Sequence, residues 1–261
     1  MDMQSGVAIV TGSSSGVGAA CARKLAELGS HVVINYVNNE QGAQATAQAC
    51  GSLGVETLVV RADVADDAAC RAMVAAAVAK WGRVDALINN AGTTKFCAHD
   101  DLEGLSAADF QRIYAVNTIG PFQMTRAVAP FMRRGGRGSI VNVASVAAVQ
   151  GVGSSIAYAA SKGALVTMTL SLARALGPHI RVNAVCPGFI QGDWLEAGMG
   201  KERYEQVKGA LEASNPLKLT ATADTVADAI LYFVAHADIV TGETLILDGG
   251  AHLSGMPLAR R

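Results

Sequence analysis

Short apolar, β-branched runs alternate with alanine-rich stretches along almost the whole chain. The runs fall at 7–10, 31–36, 55–60, 84–89, 138–144, 180–185 and 243–247. Helix-like stretches lie between them near 17–28, 40–50, 66–80, 107–133, 157–176 and 222–236. This alternation predicts βαβ units and a parallel sheet with helices on both faces. The runs are continuously apolar, as strands covered on both sides should be. No repeat, low-complexity tract or Pro/Gly-rich linker interrupts the pattern, so residues 1–261 are read as one doubly wound α/β domain.

The rhythm fails once. From Pro187-Gly188 to about Pro216 the chain carries glycines, mixed charges and isolated apolar residues such as Trp194, Leu195, Met199 and Leu211. That is too long for an ordinary connection between a strand and a helix. A mobile lid at about 190–215, beside the C-terminal ends of the strands, is the expectation.

With 51% hydrophobic residues, 16% charged residues and a net charge of −1, the chain can bury both faces of a sheet and offers nucleic acid no basic stripe. The five cysteines (Cys21, Cys50, Cys70, Cys97, Cys186) stand singly and are odd in number. They read as reduced thiols rather than a disulfide frame or a zinc site. His31, His99, His179, His236 and His252 show no ligand spacing, and Asp100, Asp101 and Glu103 read as a solvated turn, so no metal is expected. No charged leader precedes the first run and no apolar stretch reaches bilayer length, which points to a cytoplasmic protein.

The first chemistry lies between the first run and the first helix, in Thr11-Gly-Ser-Ser-Ser-Gly-Val-Gly18. A strand–turn–helix of this kind is where a dinucleotide fold seats pyrophosphate, against a helix N-terminus. No Lys-Ser or Lys-Thr follows, so the turn is not a Walker loop. At the end of the second run an acid would accept from an NAD ribose 2′-hydroxyl. The neutral Asn35 stands there instead and nothing repels a 2′-phosphate, which favours NADP(H) over NAD(H). No Arg or Lys stands in the turn or just after Asn35 to bind that phosphate.

The second chemistry is Tyr158 and Lys162, four residues apart on a helix-like stretch and so on one face. An ammonium beside a phenol favours the phenolate, which would give an acid–base usable near neutral pH. Ser145 ends the run Ile140-Val-Asn-Val-Ala-Ser145 just upstream.

Taken together these motifs resemble the short-chain dehydrogenase/reductase family over nearly the whole chain. The Gly-rich turn is Thr11 to Gly18, followed by Asn89-Asn90-Ala91-Gly92, Pro187-Gly188 preceded by Arg181-Val-Asn-Ala, and Thr241-Gly with Asp248-Gly-Gly250. The resemblance implies a Rossmann fold, a nicotinamide cofactor and a catalytic set of Asn117, Ser145, Tyr158 and Lys162. Tyr158 would exchange a proton with the substrate oxygen, Lys162 would hold the nicotinamide ribose, Ser145 would hydrogen-bond the carbonyl oxygen, and Asn117 would hold a water leading from Lys162 to solvent. Cofactor contacts are implied at Gly12, Ser14, Ser15, Gly16, Val17, Gly18, Asn35, Asp63, Val64, Asn89, Ala91, Gly92, Tyr158, Lys162, Pro187, Gly188 and Ile190. Asp63 looks like the residue facing the adenine amino group, and it equally suits a cap for the helix that follows. Asn90 would tie neighbouring strands together.

One position departs from the family: where Thr is common two residues after Ile190, this chain has Gly192. The expected substrate pocket is Ser145, Tyr158, Val146, Val149, Val152, Ile156, Phe96 and the lid, which suits an apolar or moderately polar carbonyl compound. The look is close to 3-oxoacyl-carrier-protein reductases, although Pro130 stands on a helix where those enzymes often carry a basic residue and only Arg126 and Arg174 offer charge for docking an acidic carrier. Sugar, polyol and steroid dehydrogenases remain open, as does a non-catalytic dinucleotide sensor. A small-molecule substrate, no membrane or nucleic-acid partner, and a homo-oligomer (tetramer or dimer), with the tail after Gly250 reaching a neighbour, complete the expectation.

Overall fold

A computed structural model describes residues 1–253. Seven parallel strands form one sheet in the order β3-β2-β1-β4-β5-β6-β7. The strands are β1 (Val7–Val10), β2 (His31–Tyr36), β3 (Thr57–Arg61), β4 (Ala86–Asn89), β5 (Gly138–Val143), β6 (Ile180–Pro187) and β7 (Thr244–Leu247). The order reverses between β3-β2-β1 and β4 onward, so a crevice opens at the C-terminal ends of β1 and β4. All of the site residues described below gather at that edge or just beyond it.

The pleat feeds two cores. Ala8 and Val10 of β1, with Val32 and Ile34 of β2, pack with α1 (Gly16–Glu27) and α10 (Ala223–Leu231) around Leu25, Ile230 and Phe233. Ile9 and Val33 face the other way, toward α3 (Asp67–Trp81) and α5 (Gly120–Arg134), with Met73, Leu87, Met124 and Ile140. This is the doubly covered sheet that the continuous apolar runs predict. The α2 helix (Glu40–Gly51) lies on the first side and is capped by Asn39, whose side chain accepts from the Gly42 N–H.

Two helical stretches differ from the sequence pattern. The stretch at 107–133 is divided into α4 (Ala107–Tyr114), a π-helical turn (Ala115–Ile119) and α5. Pro121, in the first turn of α5, has no N–H, so the carbonyl of Asn117 four residues earlier has no α-helical donor. The register therefore slips around Asn117. The 222–236 stretch likewise ends in a π-helical turn, Tyr232–His236, after α10.

The segment expected as a mobile lid is mostly helix: α8 (Asp193–Met199) and α9 (Lys201–Ser214), preceded in the chain by the short α6 (Ala147–Gln150) and by α7 (Ile156–Leu176). Within α8 and α9 only Tyr204 is fully buried, so no apolar periodicity marks them. Gly192 has φ +146°, a conformation that side-chain-bearing residues rarely adopt, and this gives the departure from threonine a backbone reason.

One reading from composition needs correction. By length and apolar composition alone α7 is able to cross a membrane. Its buried residues Ala157, Ser161, Leu165, Thr169 and Ala173 recur every fourth position as a seam, and α7 packs on β6 and α6. Its place is against the sheet. Far from the crevice, Trp81 stacks on His31 with ring centroids 5.5 Å apart and donates to Glu56. The part of the tail beyond residue 253, expected to meet a neighbouring subunit, lies outside the described residues.

Candidate active site

The Gly-rich turn is fastened from three sides. The Asn35 side chain accepts from the Gly12 N–H at 3.0 Å and donates to the Ala62 carbonyl at 2.9 Å. Ser13 Oγ donates to the Val10 carbonyl and accepts from the Asn35 N–H. Thr11 Oγ1 accepts from the N–H groups of Asn90 and Ala91, both at 3.0 Å. Asn90 Nδ2 donates to the carbonyls of Thr11 and Gly12, the strand tie expected of it.

This corrects the reading of Asn35. It is buried, with both ends of its amide engaged by backbone, and so it holds the turn rather than facing a ribose. Beyond it and the buried Tyr36, Val37 to Asn39 form the exposed rim of the crevice.

Ser15 is the N-cap residue of α1, yet its side chain makes no capping bond, and the first turn of α1 holds no acid. An open helix N-terminus beside glycines fits a pyrophosphate. Ser14 is half-buried, Ser15 and Gly16 are exposed, and Val17 is half-buried against the α1 core. At Gly18 an added Cβ would lie 2.4 Å from the Gly12 carbonyl oxygen and 2.6 Å from Asn90 Nδ2. Only hydrogen fits there.

Just past β3, Asp63 accepts from the Ala65 N–H at 2.9 Å and pairs with Arg112 at 3.2 Å. It is not the cap of α3. Asp66 is, accepting from the Ala68 and Ala69 N–H groups. Val64 is buried, its methyls close to Gly120 and its carbonyl accepting from Gln123. Asn89 is also buried and donates to Asn142, which donates on to Thr169. The Asn89 side-chain oxygen, Oδ1, has no hydrogen-bond partner among the described residues.

The candidate catalytic groups sit on α7 and the loops around it. Ser155 caps α7 by accepting from the Tyr158 N–H. Tyr158 and Lys162 share a face, with Lys162 Nζ 5.7 Å from the phenol ring centroid. Lys162 Nζ donates to the Val143 carbonyl at 2.7 Å, at the end of β5. The backbone at Gly92 faces both Asn117 and Lys162: a Cβ there would lie 3.5 Å from Asn117 Oδ1 and 3.7 Å from Lys162 Nζ.

Asn117 accepts from the Thr93 N–H and donates to the Thr93 carbonyl and to Ser161 Oγ. Its side chain is fully committed, which leaves its backbone carbonyl as the group able to hold a water. Thr93 and Ser161 are supporting residues that no sequence motif revealed. Pro187 accepts from the Val146 N–H, Gly188 donates to Leu247, and Ile190 bridges to Ala221, so β6 and β7 fix the wall opposite the turn. Above the phenol, Trp194 of α8 lies 6.2 Å from the Tyr158 ring and 5.8 Å from Phe96.

Electrostatics correct one expectation. The lysine was expected to depress the phenol, but burial pushes the Tyr158 pKa up to about 12, and the neighbouring Ser145 hydroxyl pulls only part of the way back. Burial also lowers Lys162 from 10.5 to about 8. The reason is geometric: the amine is turned to the Val143 carbonyl, and both groups have lost their hydration.

The sign for stability follows. The unfolded chain holds the lysine proton more tightly between about pH 8 and 10.5, so stability rises with pH across that window. From pH 10 upward the folded protein keeps the phenol proton that the unfolded chain loses, and stability falls toward about 12. Thermal melts of wild type and Lys162→Met against pH are expected to diverge between pH 8 and 10, the wild type gaining on the variant. Parallel curves would show that burial does not perturb the lysine.

A doubly wound sheet with a Gly-rich turn, a buried lysine and a phenol at its mouth defines an α/β oxidoreductase. The comparisons agree. A family described as enoyl-(acyl carrier protein) reductase matches residues 12–252. The chain is 40% identical over 247 residues to a protein of Streptomyces violaceoruber named as ketoacyl reductase 2 of the granaticin polyketide synthase, covering 95% of this chain and 96% of that one. A short-chain dehydrogenase/reductase structure from Burkholderia xenovorans matches with TM-score 0.89 at 40% identity, covering 95% of this chain and 98% of that one. Levodione reductase matches with TM-score 0.90 at 30% identity, covering 97% and 99%. The chain belongs to the short-chain dehydrogenase/reductase family.

Proposed function

We propose that the protein interconverts a ketone and a secondary alcohol, using NADP(H) in preference to NAD(H). The observation that carries this reading is convergence: the Ser145 hydroxyl meets the Tyr158 phenol, and Lys162 lies behind them at the end of the crevice that begins at Gly12. When bound, the cofactor supplies or accepts the hydride. The turn residues Gly12, Ser14, Ser15, Gly16, Val17 and Gly18 hold its pyrophosphate, Asp63 and Val64 border its adenine, and Ala91, Gly92, Pro187, Gly188 and Ile190 line its nicotinamide end.

The phenol with its raised pKa is protonated at neutral pH and positioned to give that proton to a carbonyl oxygen becoming an alkoxide. Ser145 donates to the same oxygen as charge develops. Lys162 reaches the ribose side, and a water on the Asn117 carbonyl, freed of an α-helical donor by Pro121, connects it to solvent. The protonated phenol is the form that reduction of a ketone uses.

The names of two relatives, a ketoacyl reductase and levodione reductase, point to ketone substrates. Of the two arginines available for an acidic carrier protein, Arg126 is paired with Asp67 at 2.6 Å, and Pro130 lies inside α5, so a free small molecule is favoured over an acyl-carrier substrate. Phe96, Val149, Val152 and Trp194 are partly exposed around the phenol and form an apolar wall. Truncation by Trp194→Ala is expected to raise KM for a cyclic apolar ketone about tenfold with kcat changed much less, since the ring binds without touching the reacting atoms. An unchanged KM would remove Trp194 from the site. The protein is proposed to act in the cytoplasm as a homo-oligomer, without metal, membrane or nucleic acid; its five cysteines are free and four are buried.

Parallel titration with NADH and NADPH, followed by a carbonyl and alcohol panel with the preferred cofactor, tests the reading. Negligible binding of both would overturn it.

A further inference from the structure

Nothing near Asn35 in sequence offers a cation for a 2′-phosphate, yet the strand register brings one. In the β2–β3 ladder Tyr36 is paired with Arg61, twenty-five residues further along the chain. Arg61 is exposed, and its Nε donates to the Val37 carbonyl at 3.2 Å, on the rim immediately after β2. One edge of the guanidinium is thus anchored while the terminal nitrogens keep their donors. Among the described residues Arg61 joins no ion pair, unlike Arg112, which Asp63 engages, and Arg126, which Asp67 engages.

The rim that Arg61 touches also meets the phosphate-binding turn. Asn39 reaches the Ser14 carbonyl at 3.5 Å, and the Gly42 backbone packs on the same oxygen. Val37, Asn38 and Asn39 are all neutral. Of the acids nearby, Glu40 stands in the first turn of α2, close enough to the Tyr36 phenol to help burial raise its pKa, and Asp63 is paired with Arg112. A ribose whose pyrophosphate sits on the Gly-rich turn presents its 2′ position at the end of the second strand. A planar guanidinium held at that edge matches a phosphate with two parallel donors, which neither Asn35 nor any other group on the rim provides.

We infer that Arg61 is the receptor for the 2′-phosphate of NADP(H), so that cofactor choice is set from the third strand rather than the second. The inference rests on the dinucleotide reading of the crevice. It also accounts for the absence of any basic residue in the turn itself.

The test uses fragments that differ only in the phosphate, and reads binding rather than turnover. Titration calorimetry with 2′,5′-ADP and with 5′-AMP is done on wild type, Arg61→Ala and Val37→Asp. Wild type is expected to prefer 2′,5′-ADP by about tenfold or more, as one bidentate charge-assisted contact supplies. Both variants should lose that preference while their affinity for 5′-AMP stays within about twofold, and the wild-type preference should shrink as salt rises. Val37→Asp leaves Arg61 in place and sets a carboxylate beside it, so agreement between the variants does not depend on how either tolerates truncation. Tight binding of 5′-AMP with no preference in wild type, or a preference that survives in Arg61→Ala, overturns the assignment alone. Failure of wild type to bind either fragment overturns the dinucleotide reading itself.

Discussion

Tyr158→Phe is expected to lower turnover by about three orders of magnitude, within the range for loss of a positioned proton donor, while NADPH affinity stays within about twofold. The phenylalanine ring keeps the same volume on the same face of α7, so the packing beneath Trp194 and over Lys162 persists. What disappears is the hydroxyl beside Ser145, the proposed proton donor to the substrate oxygen. Ser145 alone stabilises charge but cannot neutralise an alkoxide at pH 7, because a serine hydroxyl is too weak an acid. Steady-state rates alongside cofactor titration separate the two effects. Turnover retained within tenfold would show that proton transfer runs through another group. Loss of cofactor binding would show that the phenol is structural.

The second large effect is expected from Gly18→Ala. The added methyl would sit 2.4 Å from the Gly12 carbonyl and 2.6 Å from Asn90 Nδ2. Neither neighbour is a flexible chain end: the first is backbone of the phosphate-binding turn, and the second is the amide that ties that turn to β4. Relief requires α1 to back away from the turn, an overpacking cost of about 1–3 kcal/mol that lowers Tm by several degrees in a chain of this size. Because the displaced atoms belong to the turn proposed to hold the pyrophosphate, affinity for NADPH should fall tenfold or more. Gly16→Ala is the informative contrast. Its Cβ meets nothing within 4 Å, but its φ of +53° costs an alanine about 1 kcal/mol. Melting and cofactor titration of the two variants check the ordering, and equal, small effects would place the turn away from the ligand.

Much of this molecule is legible in its sequence because doubly covered strands advertise themselves. The bounds of β1 and β2 coincide with their apolar runs, and the other five lie within two residues of theirs. Tyr158 and Lys162 share a helical face as their spacing requires. What stayed hidden is of three kinds. The break at Asn117 depends on a missing N–H at Pro121, which periodicity does not register. Helices α8 and α9 expose most of their surface and so leave no apolar stripe to read. Asn35 turns inward to hold the Gly-rich turn, and the pairing of β2 with β3 brings Arg61 to the rim in its neighbourhood, a long-range relation that no local motif encodes.

The phenol's protonation state shows a different limit. The residue types suggested attraction between an amine and a phenolate, but the structure directs the amine to a carbonyl and buries both partners. Side-chain identity gave the cast, and desolvation decided which form each member takes.

The chain's two tryptophans stand in places that make it self-reporting. Trp81 is clamped between His31 and Lys80 on the far flank of the sheet, where ligand arrival changes nothing around it. Trp194 hangs half in solvent over the reacting phenol. Any shift in ultraviolet emission when a compound enters therefore originates at the mouth, and the molecule carries an optical gauge of its own occupancy with no dye attached.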